Sequence, residues 1–138
     1  MEILYPVFTL FVLTAFAILR LGIMRFLAVR KRDVDFHFFE AYRDYEEPEN
    51  LRIASRHVIN LFEVPTLFYV VAILILVTEQ TSTLLLVLAW AFVAARYLHT
   101  IIHLTSNKVI LRFQVFVLSF FVLVVMWIAF AARVIQAA

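Results

Sequence analysis

Four stretches of this chain are too apolar and too long for a soluble fold: Ile3 to Leu19, Leu61 to Val77, Leu84 to Ala95 with its continuation to Leu104, and Val115 to Ala132. Each reaches, or extends to, the roughly 20 helical residues that cross a hydrocarbon core. Hydrophobic residues make up 65% of the 138 positions and charged residues only 16%, against roughly 25% charged in an ordinary soluble domain. A soluble protein of this length could not wrap a core of that size. The reading is therefore all-α: an integral-membrane, up-down bundle of four transmembrane helices. The spans are expected over about 3–29, 48–77, 83–106 and 109–133, in one domain covering 1–138. The first span follows Met1-Glu2 without a basic leader or a small-residue cleavage site, and is expected to be retained.

Basic residues set the expected orientation. Arg30, Lys31, Arg32, Arg43, Arg52 and Arg56 lie in or beside the first loop, and Lys108 and Arg112 in the third, whereas Glu79 to Thr83 carries none. The positive-inside rule then puts loops one and three in the cytoplasm and both termini outside, with Arg133 as the one dissenting charge. The first loop, DVDFHFFEAYRDYEEPEN, interleaves acids with Phe36, Phe38, Phe39, Tyr42 and Tyr45, a composition suited to the membrane interface. Gly22 is the only glycine, so close helix contacts are expected to use alanine, with Ala91 and Ala95 at small-xxx-small spacing. There is no cysteine, so any thiol chemistry requires a ligand that brings the sulfur.

Against this background the segment RHVINLFEVP, residues 56 to 65, is out of place. At 100° per residue, Arg56, Asn60 and Glu63 fall within about 80° of Arg52, forming one polar stripe. On the third helix His103 and Asn107 fall within about 20° of Arg96, and His99 about 60° away. By rise, Glu63 and His99 could lie at one depth, some 10 to 12 Å in from the loops. An ionisable group inside a bilayer costs about 2.5 to 3.5 kcal/mol on insertion scales, so both stripes are expected to face the inside of an assembly. Three explanations are open at this point. The groups pair with one another and lock the bundle; the histidines hold a metal or a haem, His99 and His103 having i, i+4 spacing and His57 lying on the second helix; or a polar ligand sits among them.

The residues also carry a resemblance. RHVINLFEVP resembles the second-helix signature of the MAPEG superfamily, the membrane-associated proteins of eicosanoid and glutathione metabolism, and RYLHTIIHLTSNKVILR, Arg96 to Arg112, resembles the third-helix and following-loop segment of its microsomal prostaglandin E synthase branch. The wording Asn-Leu-Phe-Glu-Val-Pro is most similar to small bacterial members, which implies a bacterial inner membrane. The resemblance implies a homotrimer that binds glutathione between subunits near the cytoplasmic side, with a lipophilic second substrate, contacts to membrane lipids and no nucleic-acid partner. It further implies that Arg56, Asn60 and Glu63 contact the tripeptide, that His99 and His103 face it, and that Arg112 activates the thiol as the catalytic residue. Lys108 stands where relatives often have an arginine, and Arg30 resembles the basic residue ending the first helix. Independent chemistry adds Arg52: guanidinium and ammonium groups suit the two carboxylates of glutathione, and Glu63 suits its amine. The chain departs from the pattern in three places. His103 replaces a common tyrosine, Phe113 stands where some active members have a polar residue, and Val64 alone separates Glu63 from Pro65. The expected activity is conjugation of glutathione, or a related thiol, to a lipophilic electrophile; the alternative is a non-catalytic scaffold.

Overall fold

Backbone polar groups in hydrocarbon must be satisfied within the segment, which favours helix wherever this chain is apolar. The computed structural model describes residues 1–34 and 47–137. It has α1 (Leu4–Arg30), α2 (Glu49–Val77), α3 (Thr83–Leu104) and α4 (Val109–Ala137), all long and apolar enough to cross a membrane. At 22 to 29 residues they measure about 33 to 43 Å, enough for a core of about 30 Å. The aromatic loop expected at the interface, with Phe36, Phe38, Phe39, Tyr42, Arg43 and Tyr45, lies outside the described residues.

The helix ends follow local chemistry. Pro48 caps α2 at ψ 139° instead of joining its first turn, and its carbonyl accepts the Arg52 N–H at 3.0 Å. Ser82 caps α3, its hydroxyl accepting from the Leu85 N–H at 3.4 Å. Three helices terminate in a left-handed residue, and with no glycine at hand the chain uses Arg32 (φ 61°), Glu79 (φ 57°) and Asn107 (φ 45°). Each closes its helix by a backbone bond: Asp33 N–H to Ala28 at 3.0 Å, Gln80 N–H to Ile75 at 3.1 Å, and Asn107 N–H to Ile102 at 2.8 Å. For α3 the turn comes at Leu104, two residues before the expected end, and α4 continues past Arg133 to Ala137.

Packing gives the bundle a rhombic plan. The helices α2 and α3 face each other across the short diagonal, α1 and α4 each touch both, and α1 does not meet α4 among the described residues. The central pair holds the apolar core: Leu61, Val64, Phe68, Val71 and Ile75 from α2 meet Leu85, Ala89, Phe92 and Val93 from α3. Phe68 and Phe92 stack with ring centroids 4.8 Å apart. Alanine does provide close approach, through buried Ala89 and Ala95, but Ala91 faces outward, so the expected Ala91–Ala95 pair is not the contact. The core stops at Leu61. Beyond it, toward the first and third loops, the same two helices present polar side chains to each other.

Candidate functional site

Pro65 lacks the N–H that the Leu61 carbonyl would receive, so the turn just before it is the weakest in α2. A polar side chain from α3 meets α2 there. Arg96 is wholly buried, and its Nη2 donates to the Asn60 carbonyl at 3.1 Å and to Asn60 Oδ1 at 2.5 Å. These bonds fall on residue 60, one position before the Leu61 carbonyl that Pro65 leaves without its donor. Arg96 Nε and Nη1 have no partner among the described residues.

One turn further along, three histidines cluster. His57, His99 and His103 are 1%, 2% and 4% exposed. His57 Nε2 lies 2.9 Å from the Thr100 hydroxyl, its ring is 5.1 Å from that of His103, and the His99 and His103 rings are 5.9 Å apart. Helix four closes the cluster. Arg112, half-buried in its first turn, donates from Nη1 to Asn107 Oδ1 at 2.7 Å and makes a longer contact of 3.4 Å to His103 Nε2. Arginine is a donor only, so in this contact His103 Nε2 acts as the acceptor. The Nδ1 atoms of His103 and His99 are buried without a partner among the described residues. No group of three acidic or histidine side chains among the described residues is arranged to hold a metal ion.

Between α2, α3 and α4 the cluster leaves a cavity of about 210 Å³, lined by Asn60, His99, Val109, Arg112, Phe113 and Phe116. Its polar groups are an amide, an imidazole and a guanidinium, set in an apolar wall. Such a site can accept a small anion or a polarisable sulfur at Arg112 and hydrogen-bond a polar neighbour at Asn60. It is smaller than the roughly 300 to 1,000 Å³ of a typical small-molecule pocket.

Of the residues singled out from the sequence, the structure brings Asn60, His99 and Arg112 together at this cavity, with His103 behind Arg112. Arg52, Arg56 and Glu63 are not there. They lie exposed on the outer face of α2, and Arg56 and Glu63 make no ion pair among the described residues. The stripe is thus split, Asn60 turning inward and the charges outward. Asn60 pairs with Arg96 and His57 with Thr100, so in this antiparallel register Glu63 is offset from His99 by about five residues, or roughly 8 Å, and the two do not meet. Arg30 and Lys108 are exposed at the ends of their segments, away from the cavity lining. Sequence reasoning missed the structural weight of Arg96 and His57. A guanidinium in mid-helix and a histidine directly after Arg56 were the available signals.

Comparison with known proteins places the chain as a whole. The family profile described as the MAPEG family matches residues 3–132, nearly every position. No curated protein and no solved structure matches. With four membrane-spanning helices and polar groups gathered between α2, α3 and α4, this multi-pass integral membrane protein belongs to the MAPEG family.

Proposed function

We propose that the protein binds glutathione, or a related small thiol, and conjugates it to a lipophilic electrophile drawn from the bilayer. The observation that carries this reading is the convergence of Asn60, His99 and Arg112, from three different helices, on one cavity. A thiol of pKa about 8.5 is mostly protonated at neutral pH, and a neighbouring guanidinium favours the thiolate. A shift of two units requires about 2.7 kcal/mol. Arg112, fixed by Asn107 and half-withdrawn from solvent, is the group suited to supply it.

The cavity is too small for a whole tripeptide, so in this reading it takes the thiol end. The peptide's charges are met by Arg52, Arg56 and Glu63, which stand exposed on a membrane helix where exposure to lipid would be costly. A neighbouring copy covering that face resolves both difficulties, and a homotrimer with the ligand between subunits is the arrangement we infer. Arg30 and Lys108, exposed at the loop-side ends of α1 and α4, serve as further basic contacts for the part of the ligand held between copies. The chemistry is a substitution: the thiolate attacks the electrophilic carbon, a carbon–sulfur bond forms, the leaving group departs as its anion, and the thiol proton passes to solvent. With loops one and three cytoplasmic, the site opens to the compartment that holds such thiols.

A second reading is favoured by the Arg96–Asn60 pair, an interhelical bond of the kind a non-catalytic scaffold would use. One experiment separates the two. Purified protein with glutathione and a chlorinated nitroaromatic should release chloride and form conjugate, and Arg112→Ala should remove most of that rate. Equal rates in variant and parent exclude Arg112 from the reaction, and no conjugate with either favours the scaffold.

A further inference from the structure

A second concavity lies on the other side of α3, between α1 and α3, with a volume of about 430 Å³. Buried Leu13 and Thr100 form its floor, while Val12, Phe16 and Ile101 are exposed along its rims. Its two threonines offer a guest nothing. The Thr100 hydroxyl is engaged by His57 at 2.9 Å, and the Thr105 hydroxyl donates to the Ile101 carbonyl at 2.6 Å. At one end Tyr97 closes the groove, its hydroxyl donating to the Thr9 carbonyl at 2.9 Å. The inner wall is therefore suited to hydrocarbon alone, and its length runs along two membrane-spanning helices.

The opposite end differs in charge. Arg20 follows Phe16 by one helical turn, is half-buried, and has no carboxylate or hydrogen-bond acceptor among the described residues. Its charge acts on both His57 of α2 and His103 of α3, which puts it at the polar end of the bundle, one turn beyond Phe16. Arg25, a further turn on, differs in being engaged by the Ser55 hydroxyl at 3.3 Å. An apolar trough open along its side to lipid, with a guanidinium one turn beyond it that has no carboxylate partner among the described residues, matches an amphiphile with one anionic head. We propose that this groove holds one acyl chain of an anionic phospholipid from the surrounding bilayer, with the lipid phosphate on Arg20. The site stands apart from the cavity at Arg112 and does not depend on thiol chemistry. It does touch it at one remove, since Thr100 on its floor contacts His57, whose ring packs on His103.

Native mass spectrometry of the detergent-purified full chain tests this with two lipids of identical chains, phosphatidylglycerol and phosphatidylcholine. One phosphatidylglycerol per chain should be retained, roughly fivefold more strongly than phosphatidylcholine, from the attraction of one basic side chain for an anionic head. Arg20→Gln should bring the two lipids level. Ile101→Trp, which fills an exposed rim position without touching charge, should reduce retention of both and provides the reading if Arg20→Gln does not fold. Equal retention of the two lipids by the parent chain, or retention unchanged in Ile101→Trp, overturns the proposal. So does a cross-link from an introduced Ile101→Cys to a second copy that persists when lipid is added, because the groove is then a protein contact.

Discussion

Arg96 illustrates how a single side chain in this protein answers to two demands. Its guanidinium ties α3 to α2 through both the backbone and the side chain of Asn60, and in doing so it fixes the amide that lines the cavity. Replacing Asn60 by Leu removes the side-chain acceptor and leaves the buried cation only the backbone carbonyl of residue 60, and hydrogen bonds to charged groups are worth about 1.5 to 3 kcal/mol. Thermal unfolding in detergent should therefore show Asn60→Leu destabilised by about 2 kcal/mol, whereas Arg56→Leu, at an exposed position, should unfold as the parent does. Arg112 has a different role. Its removal should lower the fraction of bound thiolate about 20-fold at pH 7, the effect of a two-unit change in thiol pKa, as read from the ultraviolet absorbance of the thiolate. The sequence allowed the angular position of Arg96 to be read, because a helical wheel gives directions within one helix. It gave no way to see that Arg96 meets Asn60, because the relation between two helices depends on packing that no single wheel contains.

Elements were the most legible level of this protein. Span length and hydropathy located all four helices, and Pro48, Ser82 and the polar turn after Val77 set their limits. What patterning could not supply was the form of the helix ends, because left-handed residues are usually glycines and this chain has one glycine, Gly22, inside α1. Arg32, Glu79 and Asn107 take those positions instead, at a cost of roughly 1 to 2 kcal/mol for an ordinary side chain. Glu79 accordingly offers a clean gain: Glu79→Gly should raise stability by about 1 kcal/mol, measured by thermal unfolding. Asn107→Gly should not give the same result. Its amide oxygen holds Arg112 at 2.7 Å, so relief of backbone strain is offset by loss of that bond, and conjugation should fall while helix content stays constant.

One chain leaves much of its surface open. The outermost helices bury little of their apolar surface within it, and α2 carries Arg52, Arg56 and Glu63 on an open face. Apolar faces look alike whether lipid or a second copy covers them, so apolar patterning carried no sign of assembly, which only the polar stripes and the family resemblance implied, and none of the rhombic plan that separates α1 from α4. The charges speak more clearly, since Glu63 lies 14 residues into α2 by number, about 21 Å along its axis; its charge acts on Arg96, but it is exposed and has no salt-bridge partner among the described residues. If a ligand between copies is that partner, Glu63→Ala should weaken glutathione binding by roughly tenfold, about 1.4 kcal/mol, with little change in unfolding temperature. The central claim is that these polar groups converge on a small charged guest. Titration calorimetry of glutathione into the detergent-purified protein measures it directly: the account predicts saturable binding that is weakened in Arg112→Ala and in Glu63→Ala, and a parent protein that shows no saturable heat would contradict it.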